Sequence, residues 1–177
     1  MMENMTMKKM ALGSFGAIFV ILLLCAGLLA GEGMLKSFKL KDVDGKLFRL
    51  EDYLGKKVIY LSFWASWCAP CKTELSTLNE LHKKYADKNF TVIGVSVDDS
   101  TTSSQVRNYV KSKKFAFPSL LNPAGDVFFQ YNPAHSLPFG LLVDQTGTIV
   151  KKYTGFQQGD EKALEEEIQK LLAPVKP

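Results

Sequence analysis

The stretch Phe63-Trp64-Ala65-Ser66-Trp67-Cys68-Ala69-Pro70-Cys71-Lys72 lies where one periodicity gives way to another. Before it, Val58-Ile59-Tyr60-Leu61-Ser62-Phe63 is a nearly unbroken apolar run, β-branched at its start, which predicts a buried central strand. After it, Leu75, Leu78, Leu81, His82 and Tyr85 recur at steps of three and four, which predicts a helix from Ala69 to about Lys84. A pair of cysteines therefore stands at a helix start, just past the end of a strand. Backbone N–H groups and the positive end of the helix dipole favour a thiolate on Cys68. Such placement brings a Cys pKa from about 8.5 to between about 3.5 and 7.5. Pro70 fixes φ at the second helical position without losing a useful N–H. Cys71, one turn inward, suits disulfide closure. The expected division of labour is Cys68 exposed and attacking, and Cys71 less exposed and resolving. Lys72 either adds positive charge nearby or points to water.

The competing use of such a pair is half of a zinc site, which needs four protein ligands, or three and a water. Besides carboxylates the chain offers only His82 and His135, and no second cysteine pair. His82 lies down the helix from Cys71 by about 16 Å. Redox chemistry is the favoured reading, with no metal and no cofactor.

Outward from this centre, Phe38–Leu40 and Lys46–Leu50 flank Asp44-Gly45 and predict a hairpin. Phe90–Val97 predicts a second buried strand, ended by Asp98-Asp99. Ser100–Lys114, with Val106, Tyr109 and Val110, predicts an amphipathic helix capped by upstream hydroxyls. Phe117–Asn122 reads as a short extended piece, and Asn122-Pro123 with Gly125-Asp126 as a turn. Asp126–Tyr131 is short and fits a helical turn. Phe139–Val143 and Thr148–Tyr153 around Asp144–Gly147 predict a second hairpin. Asp160–Leu172 carries Leu164, Ile168, Leu171 and Leu172 on one face and is closed by Pro174. This order predicts an α/β fold, a mixed sheet covered by helices.

Met10–Ala30 is apolar without a charge, preceded by Lys8-Lys9 and followed by Glu32. About 20 such residues cross a bilayer core, and the flanking charges predict the N-terminus inside and the domain outside. An uncleaved signal anchor is favoured. A signal peptide cleaved after Ala30 is disfavoured by the large Leu28, and a lipoprotein modified at Cys25 by Leu22-Leu23-Leu24 before it. All three readings export the domain. The expected layout is a cytoplasmic 1–9, a transmembrane signal anchor or signal peptide 10–30, a linker 31–37 and a folded domain 38–173. The chain has 177 residues, 46% of them hydrophobic, with net charge +4 and scattered lysines, which excludes a nucleic-acid surface.

FWASWCAPCK resembles the thioredoxin family active site, and its surroundings resemble the exported, membrane-anchored TlpA-like branch that includes the cytochrome c maturation thioredoxins. The resemblance runs from about Phe38 to Leu172 and includes Phe117-Pro118, Gly125-Asp126, Leu137-Pro138, Val143-Asp144 and Gly147. It implies a thioredoxin fold and a cis Leu137-Pro138 bond facing the cysteines, with the Leu137 backbone open to an incoming peptide as an added strand. It also implies that Glu74, on the same helix face as Cys71, takes a proton there, whereas by sequence alone a solvated helix former is an equal reading. Trp67, Pro70, Leu137 and Pro138 form the implied substrate groove. Three departures stand out: Ser62 where thioredoxins have a buried acid, Ser76 where many relatives have a kinking proline, and Phe139-Gly140 where threonines usually follow the cis proline. The last is expected to alter the groove rim. Trp64 reads as core, Phe139 as either core or groove wall, and His135 as a loop histidine near the groove.

The resemblance implies a thiol–disulfide oxidoreductase, held at a bacterial cell membrane and facing the periplasmic or extracytoplasmic side, acting as a reductant of exported proteins. Apocytochrome c is one such substrate, and a membrane thiol electron donor would restore the dithiol. Two alternatives stay open. A thiol peroxidase of the same superfamily would have Thr and Pro where this chain has Ala65 and Leu61. A copper-binding module would use Cys68, Cys71 and His135.

Overall fold

The computed structural model describes residues 33–173. The two longest strands, β3 (Val58–Trp64) and β4 (Phe90–Ser96), are buried at every residue. They pair in parallel, from Val58 opposite Phe90 to Trp64 opposite Ser96. A parallel pair needs a long crossover, supplied by helix α1 (Ala69–Tyr85). On one side β5 (Ser119–Leu121) continues the parallel set. Beyond it, β1 (Lys39–Asp42) and β2 (Leu47–Arg49) add antiparallel strands. On the other side, β6 (Phe139–Val143) and β7 (Ile149–Thr154) do the same. The sheet has seven strands in the order β2-β1-β5-β4-β3-β6-β7, the mixed, helix-flanked sheet expected of a thioredoxin fold.

Alternation along β3 divides the core. Val58, Tyr60 and Trp64 face one cluster, with Leu75, Leu78 and Leu81 of α1, Val106 and Val110 of α2 (Ser103–Lys113), and Leu164 and Ile168 of α4 (Asp160–Leu172). Ile59, Leu61 and Phe63 face the other, with Val127 and Phe128 of α3 (Asp126–Tyr131) and with Leu35, Leu50 and Ile149. A strand with no polar face thus serves two apolar layers.

Three aspartates tie down the turns. Asp42 Oδ1 accepts the N–H groups of Asp44 and Lys46 across the first hairpin. Asp144 Oδ1 does the same for Thr146 and Thr148 in the second. Asp99 Oδ1 accepts from Thr101 and Thr102, and this turn delays α2 to Ser103. The expected hydroxyl cap is therefore corrected: Thr102 caps nothing with its side chain, because the carboxylate before it holds the turn. Leu50 belongs to a 3-10 turn, Leu50–Asp52, and not to β2. Among the described residues no helix is long and apolar enough to cross a membrane. The anchor expected at 10–30 lies outside them.

The alternation predicts unequal costs for truncation. Leu78→Ala, emptying a fully buried site, should lower the unfolding free energy by about 2–5 kcal/mol. Leu47→Ala, at a side chain 51% exposed, should change it by about 0.5 kcal/mol or less. Urea unfolding of both variants measures the difference.

Candidate active site

The C-terminal ends of β3 and β4 lie at one edge of the sheet, because the strands are parallel. From there the chain leaves β3 at Trp64, and Val97 donates its N–H to the Trp64 carbonyl. The next loop is clamped by Asp98, only 2% exposed. Its Oδ2 accepts the Ser66 N–H at 2.8 Å and the Ser96 hydroxyl at 2.8 Å, and its Oδ1 accepts the Ser66 hydroxyl. Ser96 Oγ in turn accepts the Asp98 N–H at 3.1 Å. In the sequence Asp98 reads only as a strand terminator, since its partner Ser66 is far off in the chain.

Cys68 caps α1, with Pro70 in the first helical turn. Cys68 and Cys71 are joined as a disulfide, and Cys68 Sγ accepts the Cys71 N–H at 3.3 Å. Their exposures are 6% and 0%. The expectation of an exposed Cys68 is corrected for this disulfide-bonded state, in which its sulfur is bonded to Cys71 Sγ and meets the Cys71 N–H, and the residue belongs to the buried cluster. Cys68 remains the more accessible of the two. Trp67 beside it is 70% exposed, whereas Trp64 is 1% exposed. The Trp64 indole nitrogen is buried without a hydrogen-bond partner. Lys72 extends over the Tyr109 ring, 5.1 Å from its centre.

Glu74 is 1% exposed, one turn beyond Cys71 on the buried face of α1. Its Oε1 accepts the Tyr60 hydroxyl at 2.9 Å and its Oε2 the Ser62 hydroxyl at 2.8 Å. Burial raises the carboxyl to about 7, against the pull of the two hydroxyls, which favour the anion. Tyr60 is itself held well above the usual phenol range, by burial first and then by the neighbouring Glu74. Ser62, where thioredoxins carry an acid, therefore donates to an acid supplied from the helix.

Phe139 pairs with Phe63 at the end of β3, so the preceding Leu137-Pro138 step, which is cis, stands beside the strand end that leads to the cysteines. Leu137 is half-buried and packs against both core clusters. The expected effect of Phe139-Gly140 on the groove rim is corrected. Phe139 is 4% exposed and packs toward Phe63 at 6.1 Å between ring centres, and Gly140 lies under the Tyr60 hydroxyl. Both substitutions act in the core, because β6 is buried throughout. His135 packs against Phe129 with ring centres 4.5 Å apart and the planes tilted by 39°. His82 accepts the Val92 N–H at 3.2 Å through Nδ1. Among the described residues no three His, Cys, Asp or Glu side chains are grouped to hold a metal ion, so the copper set of Cys68, Cys71 and His135 is not assembled.

Glu74 makes stability depend on pH with a defined sign. Its folded pKa, about 7, lies above the ordinary 4.5. The neutral form is therefore favoured by folding, fully so below 4.5, and that advantage is lost as pH rises through about 7. The loss amounts to roughly 3 kcal/mol. Unfolding of the oxidised protein between about pH 4.5 and pH 8.5 should show this decline, and Glu74→Gln should remove most of it. An equal slope in both proteins would show that Glu74 titrates normally.

Residues 32–134 match the AhpC/TSA family. The thiol-disulfide oxidoreductase ResA of Bacillus thuringiensis subsp. konkukian (strain 97-27) is 33% identical over 135 residues, 76% of this chain and 75% of that one. The thioredoxin-like protein YneN of Bacillus subtilis (strain 168) is 36% identical over 119 residues, 67% of this chain and 68% of its own. Among solved structures, a putative thiol:disulfide interchange protein DsbE from Chlorobium tepidum superposes with a TM-score of 0.73 at 29% identity, over 82% of this chain and 99% of that one. The exposed lipoprotein thioredoxin Etrx1 of Streptococcus pneumoniae strain TIGR4 gives 0.64 at 30% identity, over 77% and 100%.

Proposed function

This chain belongs to the AhpC/TSA family and to the thioredoxin-fold thiol–disulfide oxidoreductases of the ResA type, a dithiol enzyme acting on protein disulfides, and we propose that it works as a reductant of exported proteins through Cys68, Cys71 and Glu74. The observation that carries the proposal is a cysteine pair at a helix start with a buried carboxyl one turn further in.

The steps balance as follows. The Cys68 thiolate, favoured by the N-terminus of α1, attacks one sulfur of a partner disulfide. That S–S bond breaks, a mixed disulfide forms on Cys68, and one partner thiolate leaves. Cys71 then gives its proton to Glu74 and attacks the Cys68 sulfur, which closes the Cys68–Cys71 bridge and releases the second partner thiolate. The partner gains two electrons and the enzyme loses them. A membrane thiol donor restores the dithiol by the reverse exchange. A carboxyl near 7 is matched to this work, because its anion is available below the ordinary thiol range.

The exposed indole of Trp67, with Pro70, Leu137 and Pro138, forms the groove for the partner peptide. The partner we propose is an extracytoplasmic protein bearing a disulfide, an apocytochrome c heme-attachment site among them. The Met10–Ala30 run would tether the enzyme at the outer face of the bacterial cell membrane, with 38–173 as the catalytic domain. This placement is supported by the uncharged length of that run and by the likeness to an exposed lipoprotein thioredoxin. The peroxidase reading gains no support from the site. Ala65 is a buried methyl, Leu61 lies within β3, and the hydroxyl of Ser66 is engaged by Asp98.

Two measurements test the proposal. The Cys68/Cys71 couple should have a reduction potential near about −270 mV or below, whereas a value near −120 mV would make the enzyme an oxidant. Cys71→Ser should accumulate mixed disulfides with exported proteins through Cys68, and these should vanish in the Cys68→Ser/Cys71→Ser double variant. Adducts that persist in the double variant would remove Cys68 as the attacker.

A further inference from the structure

Gly140 sits in the middle of a fully buried strand, where glycine is a poor choice for strand stability. Its backbone does not require glycine either, since its φ is not positive. Space is what requires it. A Cβ at this position would lie 2.1 Å from the Tyr60 hydroxyl oxygen and 2.5 Å from its ring carbon Cζ. The register explains the meeting: Gly140 is opposite Ser62 and Leu142 is opposite Tyr60, so the Tyr60 ring leans across the pair, over the missing side chain. On the far side Gly140 pairs with Tyr153 of β7, whose ring packs 5.7 Å from that of Tyr60. Held between these, the Tyr60 hydroxyl has Glu74 Oε1 at 2.9 Å.

We infer that Tyr60 is a positioning residue for the exchange reaction, admitted by the absent side chain of Gly140, and that its hydroxyl, with that of Ser62, holds the Glu74 carboxylate in one orientation beside Cys71 and favours its reactive, ionised form. The inference rests on the reading of Glu74 as the proton acceptor. The step served is the one in which the Cys71 S–H bond breaks, its proton passes to a Glu74 oxygen, and the freed sulfur attacks the Cys68 sulfur of the mixed disulfide.

Two features set this arrangement apart from ordinary packing. First, among the described residues the carboxylate is met by two donors and by no cation: the influences on Glu74 are burial and the hydroxyls of Ser62 and Tyr60. The other titratable groups of the layer act at one remove. Asp160 at the start of α4 and Tyr153 act on Tyr60. Glu167 acts on Tyr153, over whose ring Lys151 lies. Cys71 shares the helix face. Removing one hydroxyl therefore leaves burial and the other hydroxyl to set the balance of Glu74. Second, a phenol ring without its hydroxyl would fill the same layer. The oxygen adds one thing, a donor aimed at Glu74, and the burial of a polar atom in this layer is explained by it, while the glycine answers the ring and the hydroxyl together.

The test uses the full chain in detergent micelles and follows resolution of a preformed mixed disulfide between Cys68 and a model peptide across about pH 5 to 9. In parallel, the infrared carboxyl band of the reduced protein that is absent in Glu74→Gln is titrated. The wild-type rate and band should share one inflection. Tyr60→Phe should move both upward by about one pH unit or more. Gly140→Ala, which forces the hydroxyl away, should move them in the same direction. If Tyr60→Phe folds with a native spectrum and its inflection stays at the wild-type value, the inference is overturned while the role of Glu74 stands. If Glu74→Gln itself keeps the wild-type rate inflection, the reading of Glu74 fails instead. Should Tyr60→Phe be unstable, Gly140→Ala decides alone, and an unmoved inflection there also overturns the inference.

Discussion

Parallel pairing of β3 with β4 over seven matched residues is the constraint from which the rest follows. Both strands are buried on both faces, so each must be covered twice, and the helices and the second apolar cluster are consequences of that demand. Because the pair is parallel, both strands end at one edge. The loop that leaves β3 there can be held by the turn that leaves β4. Asp98 does this through the backbone and hydroxyl of Ser66. The cysteine at the helix start is thus fixed from two directions: by its own helix, and by a buried carboxylate in the turn that follows the neighbouring strand.

The second ionisable group of consequence is buried, among the described residues, without a counter-ion. A carboxylate moved out of water costs several kcal/mol unless it is paired or neutralised. Here the compromise is a pair of hydroxyl donors, which leaves Glu74 close to balance between its two forms near neutrality. A cation would have fixed it as an anion, and a wholly apolar pocket would have fixed it as an acid. Ser62 contributes to this balance from the position where thioredoxins place an acid. The carboxyl has in effect moved from strand to helix, with the strand keeping a donor to meet it.

Two substitutions that resembled changes to a binding rim turn out to be interior. Phe139 completes an aromatic group with Phe63 and Phe128, and Gly140 makes room for a tyrosine. The surface next to the cysteines is marked instead by Trp67, a large apolar side chain left 70% exposed.

The sequence by itself determined the elements that rest on local periodicity. The boundaries of α4 and β6 match, β3 and β4 fall within a residue, and the cysteine pair is legible as a redox site from its spacing and its place at a helix start. These features survive because a helix face or a fully buried strand is encoded in neighbouring residues. What the tertiary structure decided is contact across strands. Asp98 meets Ser66 across β3 and β4, Tyr60 meets Glu74 between sheet and helix, and Gly140 answers Tyr60 from another strand. No spacing rule links such residues, since what joins them is the register of paired strands and the space one side chain leaves for another. Helix α2 starts at Ser103 and not at Ser100 for a related reason: the Asp99 carboxylate holds the turn that local propensity assigns to hydroxyl caps.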